Sequence, residues 1–138
     1  MPEMAPGIVL DTNIVLDLLV FKDPLTQPLQ AALSTCALRW IATPAMRDEL
    51  ERVLAYPQIA KRLAFYALLP EAVLAARDAL VHTVAVADKA PVTCKDPDDQ
   101  RFIDLAVAHR CTVLSKDQAV LCMAKRLLAL GAHARAAI

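Results

Sequence analysis

Short apolar runs, separated by polar and turn-forming residues, organise this chain. Ile8-Val9-Leu10 is uninterrupted, as expected of a strand covered on both faces, and Asp11-Thr12-Asn13 then supplies residues that favour a turn or a helix cap. A helix is expected over residues 14–20, interrupted by Lys22-Asp23-Pro24, and residues 25–33 read as a second helical stretch. Trp40-Ile41-Ala42 predicts the next strand. Thr43 can cap and Pro44 can open a helix running to about Tyr56, before Pro57. Residues 59–80 are rich in Ala and Leu and broken by Pro70, which predicts two helices packed as a hairpin. A third strand over 81–86 and a polar loop over 87–97 follow. Asp98 or Asp99 should start a helix reaching about His109, residues 112–115 the next strand, and residues 119–130 a last long helix capped by Gly131. Residues 132–138 suggest a weak edge strand.

Strands alternating with helices imply an α/β fold with a mostly parallel sheet sandwiched by helices. At 138 residues and 57% hydrophobic content, the chain suits one domain with a real core, and residues 1–6 read as a flexible N-terminus. No repeat, low-complexity tract or interdomain linker interrupts it. The formal net charge is zero, so any nucleic-acid partner must be held by a local patch rather than a global positive field. Cys36, Cys94, Cys111 and Cys122 form no C-x-x-C pair, which argues against zinc and against a secreted disulfide framework and favours reduced, mostly buried thiols. No basic N-terminal leader and no bilayer-length apolar run is present, so a cytoplasmic location without a membrane is expected.

Candidate chemistry lies in acidic positions. Asp11 ends a strand, where open α/β folds place ligands, and helix capping is the competing use of that residue. Asp17, further along, reads as solvated or locally paired. Glu49 falls on the stripe of Met46, Leu50, Val53 and Leu54, where a carboxylate is costly unless it meets a cation or a buried Arg. Asp48 and Glu51 point elsewhere. In Asp96-Pro97-Asp98-Asp99, acids suit a helix start whatever their function, but Asp99 shares a face with Phe102, Ile103 and Ala106, whereas Asp104 aligns with Gln100 and Arg101 on the outer face. Asp96 and Asp98 are then supporting or water-mediated ligands. Asp117 follows the next strand, with Ser115 placed to hydrogen-bond a ligand or a carboxylate. Carboxylates gathered at one sheet edge repel unless a cation offsets them, and oxygen ligands without His or Cys suit Mg2+ or Mn2+ better than zinc.

These motifs, Val9-Leu10-Asp11-Thr12-Asn13, the helix bearing Glu49, residues 96–106 and Val113-Leu114-Ser115-Lys116-Asp117, occur in an order that resembles the PIN-domain ribonucleases, and among them the toxins of toxin–antitoxin pairs. The resemblance implies a three-layer α/β/α sandwich. It places Asp11, Glu49, Asp99 and Asp117 in the four acidic catalytic and metal-binding positions, with Asn13 and Ser115 in support and Asp98 as the other reading of the third position. It also implies hydrolysis of single-stranded RNA by metal-activated water and, where one exists, a cognate antitoxin placing a blocking residue near the carboxylates. Arg47, Lys95, Arg101 and Lys116, close in sequence to the acids, are candidates for RNA phosphates. Trp40, Tyr56, Phe65 and Tyr66 suit core or interface better than a base-stacking platform. Residues 63–80 carry more apolar side chains than one helix face buries, so a homodimer or higher homo-oligomer is expected.

Two other readings compete. One is a non-cleaving module that binds RNA or a partner protein and keeps the acidic pocket. The other is an aspartate-nucleophile phosphatase using Asp11; that chemistry wants a second acid two residues on, where this chain has Asn13.

Overall fold

The computed structural model describes residues 5–138. Five strands, β1 (Gly7–Leu10), β2 (Arg39–Ala42), β3 (Val81–Thr83), β4 (Thr112–Leu114) and β5 (His133–Arg135), form one sheet in the order β3-β2-β1-β4-β5. Every pairing is parallel, so the expected mostly parallel sheet is wholly so. The chain steps outward from β1 to β2 and β3, then crosses back to place β4 on the other side of β1. That reversal leaves a crevice between the carboxyl ends of β1 and β4, the usual ligand position in such sheets.

Alternation along the strands explains the layers. Ile8 and Leu10 of β1, Trp40 of β2 and Leu114 of β4 face a core completed by α1 (Thr12–Leu19), α2 (Gln27–Ser34), α3 (Pro44–Leu54), α4 (Pro57–Phe65) and α5 (Pro70–Leu80). Val9, Ile41 and Val113 face the opposite core with α6 (Gln100–His109), α7 (Gln118–Leu121) and α8 (Ala124–Ala129). The result is an α/β/α sandwich. Its large fully buried residues include Trp40, Phe102, Leu105 and Leu127, and each such side chain contributes about 1.5–3 kcal/mol through burial.

Several expected boundaries move. The long helix expected over 119–130 is two short ones, because Met123 N–H bonds back only three residues, to Val120, and the chain turns before Leu127 N–H returns to Met123. That turn keeps Val120, Met123 and Leu127 all buried. The third strand ends at Thr83 rather than residue 86; at this sheet edge His82 and Thr83 are exposed, and one further bond, Val84 N–H to Ala42 O, closes the ladder. The sixth helix starts as expected at Asp99, its N-cap: Pro97–Asp99 forms a 3-10 turn that runs directly into α6 at Gln100. Gly131 adopts φ +83° after α8, as its capping role requires. The flexibility expected of residues 1–6 falls, for 1–4, outside the described residues, whereas the Pro6 carbonyl is anchored by Arg39 N–H at 2.9 Å. Of the cysteines expected to be mostly buried, Cys94 and Cys111 are buried and Cys36 and Cys122 exposed. Among the described residues, no helix is long and apolar enough to cross a membrane.

Candidate metal centre

Asp11 continues β1 beyond its last residue, and its N–H donates to Leu114 O of β4 at 2.9 Å. The side chain is therefore set at the crevice between the two strands, and it is buried. It makes no cap bond to α1, so the capping alternative does not account for it. Instead Ser115 Oγ donates to Asp11 Oδ2 at 2.6 Å, and the Asp117 N–H donates to the same hydroxyl at 3.0 Å. Burial raises the Asp11 pKa above its ordinary value, the Ser115 bond works against that rise, and the charges of Glu49 and Asp117 add to it.

Asp99 comes from the turn before α6 and is 7% exposed. Its Oδ2 is buried without a hydrogen-bond partner, a costly condition for a carboxylate oxygen. Ligand oxygens of Asp96, Asp99 and Asp117 lie within 4.8 Å of one another. Burial, then sharing of a proton with Asp117, then the charges of Asp11, Asp117 and Asp96 push the Asp99 pKa up to about 8, while the same shared proton and the Ala119 N–H lower that of Asp117. A buried carboxylate with one unpartnered oxygen, clustered with two more carboxylates, is what a divalent cation would satisfy, and the all-oxygen donor set fits Mg2+ or Mn2+.

Glu49 departs from expectation. Met46, Leu50 and Leu54, spaced by four, are the buried line of α3, and Glu49 sits beside that line, half-buried. It meets no arginine among the bonds seen; Thr12 Oγ1 donates to its Oε2 at 2.7 Å. Asp98 is exposed, and its N–H donates to Asp96 Oδ1 at 2.9 Å, so Asp99 is the member of the pair that enters the cluster. Asn13 Oδ1 accepts a long bond, 3.4 Å, from the Lys116 N–H.

The basic candidates divide. Arg47 is committed to Asp78 through three hydrogen bonds of 3.0–3.2 Å, and Asp78 also holds the buried Arg77 at 2.9 Å, so Arg47 ties α3 to α5. Lys116 Nζ pairs with Asp17 at 2.7 Å. Lys95 is exposed and Arg101 half-buried, flanking Asp96 and Asp99 in sequence.

Sequence reasoning missed three contributors. Thr12 was legible only as a cap; Asp17, expected to be solvated or locally paired, is buried and paired with the distant Lys116; and Asp104 is not on an outer face but half-buried. Asp104 Oδ1 accepts from Ala90 N–H at 2.9 Å and from Gln100 Nε2 at 2.7 Å, and Gln100 Oε1 accepts from Cys94 N–H at 2.6 Å. Those bonds pin the loop that delivers Asp96. Acid and amide four apart at the start of a helix were the available signal. Burial raises the pKa of both interior thiols, that of Cys111 to about 11, which keeps them protonated and leaves no thiolate nucleophile there.

No curated protein and no solved structure gives a significant match to this chain. The PIN domain family matches residues 7–119, a span from the first strand through Asp117. With carboxylates gathered at the crevice of a parallel sheet and that match over most of its length, the chain belongs to the PIN domain family, whose fold is that of a nuclease.

Proposed function

We propose that this chain, as one cytoplasmic domain, is a Mg2+- or Mn2+-dependent endoribonuclease that hydrolyses phosphodiester bonds of single-stranded RNA and serves as the toxin of a toxin–antitoxin pair. The observation that carries the reading is the buried, unpartnered Oδ2 of Asp99, whose carboxylate clusters with those of Asp96 and Asp117. Asp11, Glu49, Asp99 and Asp117 are the residues assigned to the ion and the catalysis. Asn13, Ser115 and Asp96 support them, and Asp98 acts through its N–H on Asp96. The ion's chemistry is to make water a better nucleophile near neutral pH and to offset charge developing on the phosphodiester.

The protein's own groups do the rest. Ser115 holds the Asp11 carboxylate in one orientation through a short bond. The Asp99–Asp117 pair favours one proton shared between two carboxylates, and loss of that proton to solvent would leave both free to act as ligands for a cation. Lys95 and Arg101 are the candidates for RNA phosphates, since Arg47 and Lys116 are engaged with Asp78 and Asp17. The toxin role and a cognate antitoxin rest on the ordered motifs alone. Self-association rests on Phe65, 82% exposed, and Leu69, 68% exposed.

The test is cleavage of a mixed-sequence single-stranded RNA with Mn2+ or Mg2+, with EDTA, and with Asp11→Asn. Cleavage that needs the metal and disappears in the variant is the expected result. Metal binding by wild type without any cleavage would instead point to the binding-module reading. Growth arrest on expression, relieved by a co-encoded partner, is the outcome expected of a toxin.

A further inference from the structure

Residues 115–117 carry Ser115 and Asp117 yet belong to no regular element, since β4 ends at Leu114 and α7 begins at Gln118. Contacts from the start of the chain hold them. Ser115 Oγ reaches Asp11, Lys116 N–H reaches Asn13 Oδ1, and Lys116 Nζ reaches Asp17 Oδ2 at 2.7 Å. The third is the most unusual. Asp17 is 6% exposed and stands on α1 among Ile14, Val15, Leu16 and Leu18, all buried. Such a position ordinarily takes an apolar residue, and a carboxylate there is costly unless paired. Its partner is a side chain that remains 52% exposed and would be well solvated without it.

Stability alone is a poor reason for this pair, because a well-packed apolar residue at such a site is often as stable or more so. What the pair supplies is location. Lys116 lies between the residue that orients Asp11 and the residue that faces Asp99, so anchoring it to a helix of the core fixes both neighbours. We infer that Asp17 is a positioning residue that acts through Lys116 to hold Ser115 and Asp117 in register with Asp11 for the divalent ion. The inference rests on the metal-dependent hydrolysis proposed above and assigns Lys116 to the protein's own scaffold rather than to RNA.

Mn2+ titration by calorimetry on the full chain, followed by single-stranded RNA cleavage kinetics, tests it with wild type, Asp17→Asn, Lys116→Met and the double variant, each well below its Tm. Partners that orient metal ligands are typically worth 10–100-fold when removed, so each single variant should weaken Mn2+ binding about tenfold and lower kcat, with the RNA KM little changed. The double variant should be no worse than either single one, because both remove the same contact. Lys116 is half exposed, so Lys116→Met keeps the question open to experiment should Asp17→Asn fail to fold. Unchanged Mn2+ affinity in the folded variants, or a rise in RNA KM alone for Lys116→Met, overturns the inference. A wild type that binds no Mn2+ removes the metal reading and this inference with it, so the first titration separates the two failures.

Discussion

Ser115 donates a 2.6 Å hydrogen bond to the Asp11 carboxylate while receiving the Asp117 backbone N–H at 3.0 Å, so one hydroxyl with no solvent exposure links the Asp11 side chain to the main chain that carries Asp117. Ser115→Ala should leave the fold intact and lower metal affinity or cleavage by about 10–100-fold, whereas Ser115→Thr should retain most of both. The sign of a pH effect also follows. The Ser115 bond lowers the Asp11 pKa, so its loss should move the pH dependence of Mn2+ binding toward higher pH. Titrations of the two variants across pH check this.

Asp99 makes the metal-free protein sensitive to base. Its pKa rises from 3.8 in the unfolded chain to about 8 in the folded one. Between those values the native state keeps a proton that the unfolded state has released, so stability should fall as pH rises. Asp11 is shifted in the same direction. Asp117 is lowered, so its contribution is lost only at acid pH and does not compensate in this window. In EDTA, Tm should therefore drop from pH 5 to pH 8. Asp99→Asn should flatten that profile and gain roughly 3–8 °C at pH 8, equivalent to about 1–2 kcal/mol. Mn2+ should stabilise wild type more at pH 8 than at pH 5, because the ion needs the ionised carboxylate. A scan of Tm against pH with and without Mn2+ decides it.

Much of this site was legible because parallel strands advertise their carboxyl ends. An apolar run ending in Asp11, and another ending in Ser115 and followed by Asp117, place those residues at one edge on pattern alone. Asp99 is distinguished from Asp98 by the face it shares with Phe102, Ile103 and Ala106, and its burial agrees. What stayed hidden depends on contacts between distant segments. Nothing in local pattern joins Thr12 to Glu49 or Asp17 to Lys116. Glu49 is only half-buried because a stripe drawn through Met46 and Val53 is wider than the buried line of Met46, Leu50 and Leu54. The turn after Cys122 lacks Gly or Pro, so tertiary packing of Met123 and Leu127 decides it against local helix propensity.

Thr12 and Glu49 form the contact by which α1 aims the one glutamate assigned to the site. Thr12→Val keeps the shape and removes the donor. A hydrogen bond to a charged group is worth about 1.5 kcal/mol or more, so a roughly tenfold drop in kcat is expected. Glu49→Gln should lose more, and Thr12→Val should add little on top of it if the threonine acts only through the glutamate. A double-mutant cycle on cleavage rates measures this; full additivity would give Thr12 a separate role.

Phe65 and Leu69 bracket the turn between α4 and α5 with 82% and 68% of their surfaces exposed, and Tyr66 between them packs edge-on against Phe65 at 5.5 Å. A groove of about 500 Å³, lined by Leu18, Leu68, Val73 and Leu80 and by Lys22, Asp23 and Gln30 among others, adjoins this corner. Isolated exposed hydrophobics need no explanation, whereas exposed apolar residues grouped beside a groove are a candidate interface. If a second copy covers it, Phe65→Lys with Leu69→Lys should shift the protein to monomer in sedimentation at micromolar concentration. Monomer stability should stay within about 0.5 kcal/mol, since little core is removed. Cleavage per chain should persist, because every acid of the site comes from one chain. A wild type that sediments as a monomer at that concentration would assign the corner to a different partner, and loss of cleavage on dissociation would mean that RNA is held across two subunits.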